Sequence, residues 1–205
     1  MMYYIFFLLL SSSLFALAPA LDRLIEGNQR YVHDTLQHPN RTPERREALI
    51  SKQEPFAIII GCADSRVSPE IIFDQGVGDL FVVRVAGNVV GPLELDSIEY
   101  AALYLHSSTI LVLGHENCGA VNAVIQGTTK EIESIATLIE PAVKTERKKN
   151  PPNLLEASIK ANALNMRSYL LQTPVIDKLV REKKVNVHAG YYNLQTGLIE
   201  LLDKP

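Results

Sequence analysis

The sequence predicts an α/β fold with a mainly parallel central sheet, flanking helices and a hairpin at the C-terminal edge. Three short runs are almost continuously apolar and rich in β-branched residues, as strands buried on both faces are: 57–60, 80–85 and 109–113. Helical patterns separate these runs, and strands that alternate with helices imply parallel pairing. Thr196-Gly197 precedes a last apolar run and predicts the turn of the hairpin.

Local signals predict the helices of the N-terminal half. Apolar residues recur at helical spacing over 21–32. Thr42 followed by Pro43 predicts an N-cap and the first position of a charged helix that ends near Lys52. The next helix covers 93–105, with its acidic residues early, where they suit the helix dipole.

The C-terminal half is predicted in the same way. The segment 128–153 is more polar, and we interpret it as a solvated helix end followed by a turn. Helical spacing resumes over 154–171, a further helix begins near Pro174, and a late strand begins at 185–188. No internal repeat is evident, so we expect a single domain over 21–205.

The N-terminus has the pattern of a secretory signal peptide. Residues 5–17 are apolar apart from serines, and small residues at 18–20 form an A-x-A arrangement. No basic residue precedes Arg23, so an uncleaved membrane anchor is the alternative. The apolar stretch is shorter than the roughly 20 residues of a spanning helix. We therefore expect a signal peptide over 1–20, a periplasmic or secreted protein, and no stable membrane span after processing.

Composition excludes several classes of protein. The chain has 205 residues, of which 47% are hydrophobic, enough to bury a substantial core and to exclude disorder for most of its length. Its net charge of −3 provides no broad positive field, which argues against nucleic acid as a partner. Only two cysteines are present, so a disulfide scaffold is excluded, leaving one bridge, a metal pair or two inert thiols.

Polar residues with metal-binding chemistry follow two of the predicted strands. Cys62, Asp64 and Arg66 come directly after the first, while His115 and Cys118 follow the third. The carboxyl ends of strands in open α/β sheets form the crevice where ligands bind. Two thiolates and an imidazole suit Zn(II), whose catalytic sites keep an open position. A disulfide between the cysteines is the alternative, but it would leave the histidine, aspartate and arginine without a role.

Asp64 and Arg66 are two residues apart, so a bidentate ion pair between them is expected. If Asp64 pairs with Arg66, the fourth zinc position is free for water; if Asp64 turns to the metal, the site is closed. Bound zinc can lower the pKa of water to about 7. Two thiolates should weaken this effect, so we expect activity to rise toward alkaline pH.

The sequence resembles the β-class carbonic anhydrases over residues 21–202. The motifs that carry the resemblance are Cys62-x-Asp64-Ser65-Arg66, His115-x-x-Cys118-Gly119, the run 81–88 and the run 97–101. The resemblance implies reversible hydration of carbon dioxide to bicarbonate and a proton through attack by zinc-bound hydroxide. It also implies one zinc per subunit on Cys62, His115 and Cys118, with Asp64 and Arg66 as a gating dyad.

The resemblance further implies residues that contact substrate, and an oligomer. Gln53 would orient the substrate and the Gly119 amide would donate a hydrogen bond to bicarbonate, while Phe81 and Tyr100 would line a small pocket near the metal. Active sites of the family lie at a dimer interface on which the N-terminal helix packs. The helix over 21–32 therefore implies a homodimer or a higher even oligomer.

One branch of the family has a regulatory bicarbonate site, and this chain departs from it. That site uses a tryptophan three residues before the first cysteine, together with an arginine and a tyrosine. Ile59 occupies the tryptophan position here, whereas Arg84 and Tyr192 match the other two. Without the indole ring, we expect no such inhibitory site.

Two other functions fit the same residues. The first is hydrolysis of carbonyl sulfide or carbon disulfide, which needs the same zinc chemistry in a pocket of different shape. The second is a catalytically silent, zinc-stabilised binding module in which Asp64 permanently fills the fourth position. The presence of Arg66 and Gln53 argues against the second.

Overall fold

The structure is a computed structural model that describes residues 18–203. Its helices are α1 Ala18–Val32, α2 Pro43–Ala48, α3 Pro69–Ile72, α4 Pro92–Tyr104, α5 Gly119–Gln126, α6 Glu133–Lys149, α7 Leu154–Leu170 and α8 Pro174–Arg181. Its strands are β1 Ala57–Gly61, β2 Leu80–Arg84, β3 Thr109–His115, β4 Asn186–Tyr192 and β5 Ile199–Leu201. Within these residues no helix is long and apolar enough to cross a membrane. Most of the expected signal peptide, 1–17, lies outside them, so that expectation stays a prediction.

The five strands form one sheet in the order β2-β1-β3-β4-β5. The first four are parallel, and only β5 runs antiparallel to its neighbour β4. The central strands β1 and β3 are buried along their whole length, as their continuous apolar runs predict. The predicted α/β class and the C-terminal hairpin are confirmed.

The sheet separates two hydrophobic clusters because successive strand residues point to opposite faces. Ile58 and Ile60 of β1 belong to the cluster that also contains residues of α4, α6, α7 and α8. Ile59 belongs to the opposite cluster, where Leu24 of α1 and Phe73 after α3 pack. Alternate residues of one strand therefore hold helices on both faces of the sheet.

Two buried carboxylates tie the N-terminal segment to this sheet. Asp74 accepts hydrogen bonds from Arg30 Nε at 2.7 Å and from the N–H groups of Gln37 and His38, both at 3.0 Å. Asp79 accepts from Asn40 and from the Gly76 N–H, and forms an ion pair with Arg23. Helix α1 and the connection that follows it are thus fixed to the loop between α3 and β2.

The structure corrects the prediction for 128–153, which is not a solvated helix end and turn. It contains the 17-residue helix α6, with Ala136, Ile139 and Val143 buried at helical spacing. The basic residues near its C-terminal end hide this stripe in the sequence. Helix α2 begins after the predicted Thr42 cap but ends at Ala48, before the expected end near Lys52.

We predict that Asp74→Asn lowers the free energy of unfolding by about 2 kcal/mol at neutral pH, because a charged acceptor is lost from buried hydrogen bonds. Burial raises the pKa of Asp74, but Arg30 and the N–H groups of Gln37 and His38 together lower it below its ordinary value. Stability from a depressed pKa is present above the unfolded pKa and is lost as pH falls through the folded pKa. Denaturant unfolding from pH 7 to pH 3 measures this loss.

Asp22→Asn, an exposed position on the same helix α1, is the matched control and should change the free energy of unfolding little at any of these pH values. Equal effects of the two substitutions, or an Asp74→Asn effect that does not shrink toward acid pH, would contradict the account.

Candidate metal centre

Adjacent parallel strands bring the predicted metal ligands together. Cys62 directly follows β1, His115 is the last residue of β3, and Cys118 caps the N-terminus of α5. Gly61 pairs with Leu113, so both strands end at the same edge of the sheet. All three side chains are buried, and their ligand atoms lie within 4.8 Å of one another. The predicted convergence of these residues is confirmed.

The two thiols influence each other strongly. The hydrogen bond with Cys118, followed by contacts with His115 and with the Gly87 and Asp64 N–H groups, lowers the pKa of Cys62 below that of a free thiol despite burial. The same pairing with Cys62, reinforced by burial, raises the pKa of Cys118. The Cys62 thiol is therefore favoured to ionise before the Cys118 thiol, and a bound cation would allow both thiols to ionise.

His115 is oriented as a metal ligand. Its Nδ1 lies 2.8 Å from the backbone oxygen of Glu116, so the ring donates there and keeps a lone pair on Nε2. Nε2 is buried, and no hydrogen-bond partner for it is found among the described residues. A buried polar atom without a partner is costly, and a cation beside it would remove that cost. Two thiols and an unpaired imidazole nitrogen at this separation fit a tetrahedral zinc, whose ligand atoms lie roughly 4 Å apart.

Asp64 and Arg66 form the predicted ion pair beside these ligands. Arg66 Nε and Nη2 donate to the two carboxylate oxygens of Asp64 at 2.9 and 2.8 Å, and the Arg66 N–H also donates at 2.9 Å. The side-chain hydrogen bonds from Arg66 hold the pKa of Asp64 well below its usual range. Asp64 Oδ2 lies 3.9 Å from His115 Nε2, so the ionised carboxylate is next to the ligand set.

The residues expected to contact substrate divide between the two edges of the sheet. Gly119 begins α5 next to Cys118, is exposed, and has open space where a side chain would project. Phe81 pairs with Ile58, four residues before Cys62, which is about 13 Å along the strand. The Tyr100 ring is tilted by 46° to that of Phe81, with ring centroids 6.5 Å apart. Tyr100 also lines a surface depression together with Gln53. A single chain therefore brings Gly119 to the metal ligands but leaves the other three residues at the amino-terminal edge of the sheet.

The residues that match the regulatory site of the other family branch are engaged elsewhere. Arg84 donates to the backbone oxygens of Cys62 and Asp64, and the Tyr192 hydroxyl lies 3.3 Å from that of Tyr31. Ile59 is fully buried in the core. The expectation that this chain has no such site stays a prediction.

Sequence reasoning missed two residues that support the thiol of Cys62. The Gly87 N–H donates to Cys62 Sγ at 3.2 Å, and Asn162 Nδ2 of α7 donates to the Gly87 oxygen at 2.8 Å. Gly87 has a positive φ of 73°, and a Cβ there would lie 2.6 Å from Ile139 Cδ1. A glycine within the run 81–88 was the available signal, but its contact with Cys62 is not local in sequence.

The chain is similar to known proteins in sequence and in fold. The family model described as carbonic anhydrase matches residues 57–199. Carbonic anhydrase 2 of Mycobacterium tuberculosis is 55% identical over 102 residues, which cover 50% of this chain and 49% of that relative, so the match spans about half the relative's length. The carbonic anhydrase of Pseudomonas aeruginosa is 30% identical over 88% of this chain and 86% of that relative. The solved β-carbonic anhydrase CafA of Aspergillus fumigatus has 25% identity and a TM-score of 0.70, with 92% of each chain covered.

We predict that zinc raises the thermal midpoint of the metal-free protein and that the rise saturates at one equivalent per chain, because the metal pairs with both thiolates and with His115 Nε2. Cys118→Ser should abolish the rise at equimolar zinc, whereas the exposed His106→Ala should retain it. Thermal unfolding with metal analysis measures both effects. An equal response of the two variants would show that zinc binds elsewhere.

Proposed function

Because this chain belongs to the carbonic anhydrase family, in its β class, we propose that it catalyses the zinc-dependent, reversible hydration of carbon dioxide to bicarbonate and a proton. The observation that carries the proposal is the convergence of Cys62, His115 and Cys118 beside the Asp64–Arg66 ion pair. The three side chains lie at the carboxyl edge of the sheet, and zinc held by them would suit attack on a small electrophilic carbon.

Cys62, His115 and Cys118 would hold one zinc per subunit. When bound, zinc supplies Lewis-acid activation of water at neutral pH. The protein contributes a fixed imidazole tautomer, through the contact of His115 with the Glu116 oxygen, and donors that stabilise the Cys62 thiolate. The buried position of all three ligands keeps bulk solvent away from them.

Asp64 and Arg66 would control the access of water and substrate. Arg66 keeps Asp64 ionised and paired, so that Asp64 would leave a position on the bound metal open to water. The 3.9 Å separation of Asp64 from His115 Nε2 supports the alternative closed state, in which Asp64 becomes the fourth ligand after Arg66 releases it. In the open state the Asp64 carboxylate can accept a hydrogen bond from the reacting water.

Gly119 would bind the substrate oxygens through its backbone. Its N–H lies in the first turn of α5, where donors have no partner within the helix and the helix dipole favours negative charge. Because no side chain covers this position, a small anion can approach the peptide closely.

We propose further that the site is completed by a second copy of the chain in a homodimer or a higher even oligomer. Gln53, Phe81 and Tyr100 lie too far along the sheet to reach the metal ligands of their own chain. Apolar side chains are exposed on the helix that carries Tyr100, since Tyr104, which packs against Tyr100, is 70% and Leu93 78% exposed. An exposed apolar surface of this kind is typical of a protein interface.

We predict rapid carbon dioxide hydration near pH 8 in stopped-flow assays of the zinc-loaded protein, with loss of activity on metal removal. Asp64→Ala should lower kcat by about 100-fold or more, the scale of a positioned acid–base group. Asp177→Ala, which removes a carboxylate paired with Arg181 on α8, should retain activity. No turnover with any substrate would favour a binding module, and turnover only with carbonyl sulfide or carbon disulfide would favour a sulfur-specific hydrolase.

We predict that a Gln53→Ala chain and a Cys118→Ser chain, each inactive alone, regain activity when mixed under conditions that exchange subunits. Each hybrid dimer has one complete site if Gln53 comes from the partner, so random mixing yields about a quarter of wild-type activity. If Gln53 served its own chain, no hybrid would contain a complete site. Activity after mixing, measured together with the molecular mass, decides between the two arrangements.

A further inference from the structure

Arg84, the last residue of β2, reaches the loop that follows β1. Its Nε donates to the backbone oxygen of Cys62 at 2.9 Å, and its Nη2 donates to the backbone oxygen of Asp64 at 2.6 Å. The donors of a guanidinium are held in one plane, so Arg84 fixes the separation and direction of the two carbonyl groups together. A lysine at this position has one flexible donor group and lacks this geometry.

The clamped loop carries two groups that the proposed reaction needs. Cys62 supplies a thiolate to the metal site, and two residues later Asp64 supplies the carboxylate that Arg66 holds. The Asp64 N–H also points to Cys62 Sγ at 3.4 Å. Because both side chains project from the same short loop, a change in its backbone displaces the carboxylate relative to the thiolate. Misplacement of reacting groups by about 1 Å can cost about 100-fold in rate.

We infer that Arg84 is a positioning residue, which sets the orientation of Asp64 toward the metal ligands by clamping the carbonyl groups of Cys62 and Asp64. The inference rests on the proposed carbon dioxide hydration. It differs from an anion-binding role because two donors of Arg84 are directed to backbone oxygens. Tyr192, the other matching residue, pairs with Tyr31 of α1.

The test compares Arg84→Ala and Arg84→Lys with the wild type in the zinc-loaded protein. Both should lower kcat for carbon dioxide hydration by about 10- to 100-fold, the scale of residues that orient metal-site groups. Arg84 is exposed, so zinc content and thermal midpoint should change little. Added guanidinium chloride at low concentration should partly restore kcat in Arg84→Ala, because a free guanidinium can occupy the same two carbonyl groups. Hydrogen exchange should become faster at the amides of residues 62–67.

Arg147→Ala is the matched control. Arg147 Nη2 also donates to a backbone oxygen, that of Ile125 at 2.7 Å, but at the far end of α5 from the metal ligands. This variant should keep wild-type kcat, show no response to guanidinium and leave exchange over 62–67 unchanged.

Three outcomes for the Arg84 variants would overturn the inference. Wild-type kcat in both Arg84 variants would exclude positioning. A fall in kcat with matching losses of zinc and thermal stability, and without rescue by guanidinium, would indicate a general structural role. Unchanged kcat with lost inhibition by bicarbonate would identify Arg84 as an anion-binding residue. A wild-type protein without hydration activity would refute the proposed function instead, and the exchange data would then decide whether Arg84 clamps the loop.

Discussion

The parallel pairing of β1 with β3 is the constraint on which the metal centre depends. The register sets Gly61, the last residue of β1, beside Leu113, two residues before the end of β3. Cys62 and His115 therefore lie at the same edge of the sheet, although 52 residues lie between them in the sequence. Cys118 then needs only the short turn into α5 to join them. A shift of this register by one residue would send the side chains of a strand to the opposite faces and would disperse the ligands.

Burial suits the three ligand side chains to binding a cation, and it also imposes a free-energy cost on them in the metal-free protein. Two thiols and an imidazole in the interior cannot all ionise or find hydrogen bonds from the protein alone, and the buried His115 Nε2 shows the deficit directly. The surrounding residues prepare the site for a cation: Gly87 donates to Cys62 Sγ, and the Glu116 oxygen fixes the imidazole tautomer. The buried ligands are therefore energetically unfavourable in the metal-free protein, and their rigid arrangement suits a metal ion. Metal binding and protein stability are commonly coupled in this way.

The sequence predicted the parts of this site that depend on strand ends and on short spacings. Cys62, His115 and Cys118 could be grouped because parallel strands end at one edge, and the pairing of Asp64 with Arg66 because they are two residues apart. Contacts between distant segments could not be predicted, because single residues carry no signal of their spatial neighbours. The clamp of Arg84 and the contact of Asn162 with Gly87 are of this kind. Helix α6 was missed for another reason, since its charged residues outweighed a narrow apolar stripe.

The separation of expected substrate residues along the sheet connects assembly with function. Phe81 and Tyr100 contact each other at the amino-terminal edge, while the metal ligands lie at the carboxyl edge, and a rigid sheet cannot bend to bring these edges together. Residues of β2 remain half-buried at the edge of the sheet, and apolar side chains of α4 are exposed beside them. In the proposed dimer a second copy covers this surface, and the free energy gained by burying it would also bring Gln53 to the neighbouring site. Association would then complete each site, and a monomer with every metal ligand in place would lack the groups that orient its substrate.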